Sequence, residues 1–224
     1  MKILFDFKVD YLKKIDFFAQ LKDEELAKLH SISSIKFYNK GEMIFYEKDI
    51  LENIYYLKSG LVKLYKTDKF SKEIFLSNVS DNSLLYTVSN LSDDERMGAF
   101  YNVECIKECE VLTINAKSFK KLFFDNIEVL RKILEESYKN IKRFQDIIQR
   151  DIVFDGTSKV AFMIYNNLDN FNSLKKSEIA YLLHLRPETL CRILNKLTKQ
   201  EIIEIKKGSI FIKESVKLRE IFEY

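Results

Sequence analysis

Glu188 and Arg192 stand four residues apart in the run Pro187-Glu188-Thr189-Leu190-Cys191-Arg192-Ile193-Leu194-Asn195-Lys196-Leu197. If that run is helical, both side chains share one face. The pair can then close on itself as an intrahelical ion pair. On a helix lying in the major groove of DNA, the same geometry lets Arg donate two hydrogen bonds to guanine while Glu accepts from cytosine N4. Leu190, Ile193, Leu194 and Leu197 form the inward stripe, which leaves Glu188, Thr189, Cys191, Arg192, Asn195, Lys196 and Lys199 as candidate contacts. Charge favours the second use. Between residues 173 and 213 nine Lys and Arg face four Glu, whereas residues 1–154 balance at 25 of each sign and the whole chain carries only +3. Lys175, Lys176, Lys206 and Lys207 lie in that stretch, as a phosphate-binding surface requires.

Other reactive residues are sparse. Cys105, Cys109 and Cys191 are too few and too unevenly spaced for a disulfide framework, and none forms Cys-x-x-Cys, so reduced thiols are expected. Cys105 and Cys109 would share a face of one unbroken strand, but Lys107-Glu108 reads as a turn between them. His30, Met43, Met97 and Cys105 are the residues that could ligate a haem iron axially, although a lone His or Met on an apolar segment is more often core. Leu84, Leu85, Tyr86, Met97, Phe100 and Tyr101 could line a pocket for a small apolar ligand, or fill it with their own side chains. The chain has no Gly-x-Gly-x-x-Gly, Walker loop, His-Glu-x-x-His or Gly-x-Ser-x-Gly. Of its two His, His184 falls in a helix-turn-helix turn, so an enzyme is not expected. No apolar run approaches the roughly 20 residues of a membrane span, and residues 1–10 mix charge with apolar residues, unlike a secretory signal. A cytoplasmic location is expected.

The elements that position these residues follow from periodicity. With 46% hydrophobic and 32% charged residues, the 224-residue chain should be ordered throughout. Residues 10–31 read as one or two helices. Segments 35–38, 43–46, 53–58, 61–66, 73–79, 101–106 and 110–114 are short, β-branched or aromatic, and separated by turn residues such as Gly41 and Gly60, which indicates an antiparallel β-barrel or jelly roll. Residues 118–151 return to a helical period with the stripe Ile127, Leu130, Leu134, Ile141, Phe144 and Ile148, a narrow seam suited to packing on a second helix. Asp155, Gly156 and Thr157 form the expected hinge, with Thr157 or Ser158 capping a helix over 159–168. Helices over 176–183 and 187–200, the second opened by Pro187, flank a tight turn and precede a hairpin with Lys206-Lys207-Gly208-Ser209 at its tip. This order is a winged helix-turn-helix. The expected fold is therefore α+β, with an effector-sensing β-barrel over 1–117, a dimerisation helix over 118–154 and a winged helix-turn-helix DNA-binding domain over 155–224.

The whole chain resembles the Crp/Fnr family of bacterial transcription regulators. The resemblance is carried by Phe37-Tyr38-Asn39-Lys40-Gly41-Glu42-Met43-Ile44-Phe45 with Ile54-Tyr55-Tyr56-Leu57-Lys58-Ser59-Gly60-Leu61-Val62-Lys63, by the long helix, and by Pro187 to Arg192. It implies a homodimer joined by the long helices, a palindromic double-stranded DNA site with a TGA step, and RNA polymerase as a partner. Glu188 and Arg192 match the family's base-reading residues, while Cys191 replaces the serine usual in the fumarate–nitrate branch. Cyclic-nucleotide binders of the family carry Gly-Glu and Arg-Ser/Thr in the phosphate cassette. Here residues 82–86 and Ala99-Phe100 stand instead, so cyclic nucleotide binding is not expected. The iron–sulfur branch needs four cysteines, mostly near the N-terminus, so no iron–sulfur cluster is expected. The chain looks broadly like a nitrosative-stress regulator responding to nitric oxide through haem. A small apolar ligand, a cysteine thiol switch and action without an effector remain the alternatives.

Overall fold

The computed structural model describes residues 2–4, 9–86 and 98–223. The chain divides into two compact units, Met1–Lys142 and Arg143–Tyr224. In the first unit the strands are β1 (Lys2–Leu4), β2 (Ser33–Tyr38), β3 (Met43–Phe45), β4 (Asn53–Ser59), β5 (Leu61–Thr67), β6 (Glu73–Ser80), β7 (Ser83–Tyr86), β8 (Asn102–Cys105) and β9 (Cys109–Asn115). They pair antiparallel in two sheets, in the orders β1-β2-β9-β4-β7 and β3-β8-β5-β6. Two-residue alternation sorts their side chains. Tyr55, Leu57 and Val111 point into a core shared with Val62, Leu64 and Val103 of the other sheet. Ile54, Tyr56, Leu112 and Ile114 point the opposite way, onto a helical layer.

That layer comprises α1 (Val9–Lys13), α2 (Asp23–Ser31) and α3 (Ala116–Phe123), followed by α4 (Ile127–Ile148). Leu12, Phe18, Leu26, Leu29, Phe119 and Phe123 are all at most 2% exposed against the five-stranded sheet. Among the described residues no ladder joins the two sheets, so the expected barrel is an open two-sheet jelly roll. Keeping the sheets apart lets the five-stranded one be covered on both faces. β1 and β7 complete that sheet's edges beyond the seven expected strands.

The helical run over 118–151 is interrupted. Asn115 caps α3, accepting from the Ser118 N–H at 2.9 Å. Asn126 restarts the chain, its Oδ1 accepting from Glu128 and Val129 N–H at 3.0 and 3.3 Å while its amide donates to Glu25 at 2.7 Å. The break allows Phe119 and Phe123 to turn onto the sheet. α4 buries Val129 and Glu136 and exposes Ile127, Leu134, Tyr138, Ile141 and Ile148 by half or more. It ends in a π turn, Gln149–Val153.

In the second unit, α5 (Gly156–Asn166) is capped by Asp155, whose carboxylate accepts from the Ser158 N–H at 2.7 Å. Neither Thr157 nor Ser158 is the cap: the helix starts earlier than expected, and the Ser158 hydroxyl donates to the Ile221 carbonyl. Next come α6 (Leu168–Ser173), α7 (Lys176–Leu182), α8 (Pro187–Lys199), β10 (Ile203–Lys206), β11 (Ser209–Ile212) and α9 (Ser215–Glu220). The polar stretch 169–173, beyond the helix expected over 159–168, lies in a helix of its own that buries Phe171. Val160, Ile164, Ile179, Leu190, Leu194 and Ile210 belong to the single core of this unit. No helix among the described residues is long and apolar enough to cross a membrane.

Candidate nucleic-acid interface

α7 begins with the Lys175 N–H bonded to the Glu178 carboxylate at 2.7 Å, which satisfies one of the free donors at that helix end. It ends at Leu183. His184 takes a left-handed φ of +55°, and the Leu185 N–H bonds the Ala180 carbonyl at 2.8 Å. That turn re-aims the chain into α8, where Pro187 occupies the first turn and lacks only a donor that would have had no partner. Leu190, Ile193, Leu194 and Leu197 are at most 6% exposed and lock the helix onto the core.

The opposite face carries the chemistry. Glu188, Arg192, Asn195, Lys196 and Lys199 are exposed, Thr189 and Cys191 are half-buried, and the face forms a shallow open concavity. No ion pair within 4.0 Å engages Glu188 or Arg192 among the described residues, so the intrahelical alternative is not formed. Glu188 lies in the first turn, where the positive end of the helix dipole favours a carboxylate. Lys175 and Lys176 are exposed at the start of α7.

The wing is the β10–β11 hairpin, whose four pairs run from Ile203↔Ile212 to Lys206↔Ser209. Lys207 and Gly208 form its tip with φ of +49° and +87°, the two positive values of a type I′ turn. Lys207 is exposed and has no ion pair among the described residues, and Lys206 reaches Glu204 at 2.8 Å. Asn172 of α6 holds the hairpin's edge: its amide donates to the Ile210 carbonyl at 3.0 Å, and its oxygen accepts from the Ile210 N–H at 2.8 Å. A second group sits at the π turn. Both oxygens of Asp151 take the Arg150 guanidinium at 2.8 and 2.6 Å, with Lys159 Nζ at 3.8 Å and His184 Nε2 at 3.7 Å. Neither group is visible in sequence, because Asn172 meets Ile210, and Asp151 meets His184, only through the fold.

The sensing-side candidates are dispersed. Leu85 and Tyr101 meet between the sheets, where the Tyr101 hydroxyl donates to the Leu85 carbonyl at 2.9 Å. Leu84, one residue along β7, points into the helical layer instead. Phe100 is 58% exposed, with Lys66 Nζ 4.0 Å from its ring centroid. Strand alternation therefore separates Leu84 from Leu85 and Tyr101, while Phe100 meets the Tyr101 ring edge-on at 6.2 Å from the solvent side. Met97 and the side chain of Tyr86 lie outside the described residues. His30 ends α2, Met43 accepts from the Tyr65 hydroxyl at 3.8 Å, and Cys105 is buried between the sheets, so these three do not converge. No group of three or more His, Cys, Asp or Glu among the described residues could hold a metal ion.

Two family models match the chain: the cyclic nucleotide-binding domain over residues 35–126 and the Crp-like helix-turn-helix domain over 166–221. The cyclic AMP receptor protein of Thermus thermophilus is 23% identical over 215 residues, covering 94% of this chain and 98% of that protein. Two solved structures share the fold. A putative Crp/Fnr-family transcriptional regulator from Eubacterium rectale has a TM-score of 0.66 at 17% identity, covering 92% of this chain and 97% of that one. A mutant of CooA from Carboxydothermus hydrogenoformans has a TM-score of 0.67 at 16% identity, covering 86% and 89%. With both domain models in order along one chain, and an antiparallel two-sheet domain, long helix and helix-turn-helix in the structure, this protein belongs to the Crp/Fnr family of transcription regulators.

Proposed function

We propose that the protein acts as a homodimer on a two-fold palindromic site in double-stranded DNA. Arg192 reads the guanine of a TGA step and Glu188 accepts from the cytosine opposite it. The observation that carries this reading is the exposed Glu188 and Arg192 pair, without an ion pair among the described residues, above a stripe at most 6% exposed. Lys175, Lys176, Lys196, Lys199, Lys206 and Lys207 surround it as phosphate partners, and Thr189, Cys191 and Asn195 face the flanking bases. Dimerisation is supported by α4, where Ile127, Leu134, Ile141 and Ile148 are 67, 71, 55 and 52% exposed along one seam, with Leu130 and Phe144 beside it. A parallel pair of such helices buries the seam and sets the two recognition helices about 34 Å apart, one turn of DNA. Light scattering at micromolar concentration tests this: a dimer is expected, and a stable monomer unchanged by DNA overturns it. The DNA-bound dimer contacts RNA polymerase.

The effector we assign to the sensing unit is a small apolar ligand or haem, the latter responding to nitric oxide. At the position of the family's anion clamp Ala99 is 3% exposed and carries no charge, which supports an uncharged ligand. The second reading is cyclic AMP, favoured by the matching domain model and by the name of the Thermus relative. Calorimetry with cyclic AMP beside an absorbance titration with haem separates them. A Soret band that shifts with nitric oxide is the expected haem result, and tight cyclic AMP binding overturns the apolar assignment.

A further inference from the structure

Cys105 closes β8 and Cys109 opens β9, so the two thiols belong to different sheets and are joined by the turn 106–108. That turn is folded back on the start of β5. The N–H groups of Ile106 and Lys107 reach the Leu61 carbonyl at 2.8 and 3.3 Å. Cys109 Sγ donates towards the same carbonyl at 3.6 Å and towards the Lys107 carbonyl at 3.3 Å. Both side chains belong to the core between the sheets, with Cys105 0% and Cys109 3% exposed. Gly60 holds Cys109 from behind, since a Cβ there would lie 2.6 Å from its sulfur.

The two thiols are chemically unequal. A hydrogen bond from Cys105 holds Cys109 below its ordinary thiol value. The same bond, then burial, pushes Cys105 up. Cys109 is therefore the better nucleophile, with a protonated neighbour beside it. Burial keeps out bulky reagents, but the exposed Lys107 and Glu108 put solvent one residue away, within reach of a small oxidant.

We propose that Cys105 and Cys109 form a reversible dithiol–disulfide site through which hydroperoxides act on the sensing unit. The Cys109 thiol gives up its proton, its sulfur attacks a peroxide oxygen and the O–O bond breaks; the leaving hydroxide or alkoxide takes up that proton and departs as water or alcohol, giving a sulfenic acid. The Cys105 sulfur then attacks the Cys109 sulfur; the S–O bond breaks, and the departing hydroxide takes the Cys105 proton as water. Two electrons pass from the sulfurs to the peroxide, and a thiol such as dithiothreitol returns them. The new bond draws the sulfurs to about 2.05 Å. Its pull passes to the turn before β3, because the Cys105 carbonyl accepts from Gly41 N–H at 2.7 Å and its N–H donates to the Glu42 carbonyl at 2.9 Å. The chemistry stands without the DNA reading; only its regulatory output rests on it.

Lys107 lies between the cysteines, so trypsin releases them on separate peptides, residues 97–107 and 108–117, unless a disulfide joins them. The full chain is treated with hydrogen peroxide, alkylated and digested. The expected result is a linked pair two hydrogens lighter than the sum, split by dithiothreitol, with Cys109 of Cys105→Ser trapped by dimedone as its sulfenic acid. Separate peptides with both thiols alkylated, or Cys109 over-oxidised without linkage, overturn the site. Oxidation of the wild-type chain is further expected to change DNA affinity by roughly fivefold or more, an effect absent in Cys105→Ser, which keeps Cys191. Linked peptides with unchanged affinity overturn the regulatory role. Absence of DNA binding in both redox states overturns the DNA reading instead and leaves the peptide map standing.

Discussion

The four-stranded sheet of the first unit and the outer face of α8 in the second handle their cations in opposite ways. On the four-stranded sheet Lys63 bridges Glu73 and Glu104 at 2.9 and 2.8 Å, and Lys66 meets Glu47 at 2.6 Å. On α8 and at the wing tip, Arg192, Lys196, Lys199 and Lys207 have no such partner among the described residues, while Lys206 beside the tip meets Glu204 at 2.8 Å. Charges already paired within the fold gain little from a new anion, whereas charges held apart over a rigid core are ready for one. The sensing unit turns its polar and sulfur chemistry inward, between two sheets. The DNA-binding unit turns its chemistry outward, on one helix and one hairpin.

The largest expected effect falls on the seam that would join two copies. Ile141→Glu places a charge on the exposed stripe of α4; it should convert the dimer to monomer in light scattering and abolish operator binding together. Next comes Gly60→Ala. Gly60 has φ of +119° and its added Cβ would meet the Glu108 carbonyl and Cys109 Sγ at 2.6 Å, so a loss of about 3 kcal/mol in denaturant unfolding of the sensing unit is expected.

The lesson for sequence reading follows the same division. α8, its inward stripe and the lysine-bearing wing were legible because helical period, Pro187 and the Lys207-Gly208 turn act locally. The seven expected strands were legible to within a residue or two for the same reason, since alternation and turn residues mark each one, whereas β1 and β7 were not. What stayed hidden was long-range. The β7 pairing, the Asn126 restart, the Asn172 clasp on Ile210 and the Asp151 cluster each depend on which segments meet. The fate of Leu84 and Leu85 shows the same limit. Both are apolar neighbours on one strand, but only the sheet's two different coverings decide which faces the helices and which the interior.

Smaller effects sharpen the contrast. Asp155→Ala removes the cap of α5 and should cost about 1 kcal/mol at neutral pH. The Asp155 carboxyl is held below its ordinary value, first by the Ser158 N–H. A depressed folded value means that this contribution is present above the unfolded carboxyl's value near pH 4 and is lost as pH falls through the folded one, so the variant and parent should converge in acid. Lys207→Ala, at the exposed tip, should weaken all DNA sequences alike, reduce the salt slope by about one, and leave unfolding unchanged.

The central claim is that Arg192 reads a base and is not merely a charge near the backbone. It is tested most directly by anisotropy titrations of wild type and Arg192→Ala against duplexes varied one base pair at a time. The expected result is a loss of about 1 to 3 kcal/mol on the preferred site, with discrimination abolished at the guanine position alone. An equal loss on preferred and scrambled duplexes would contradict it.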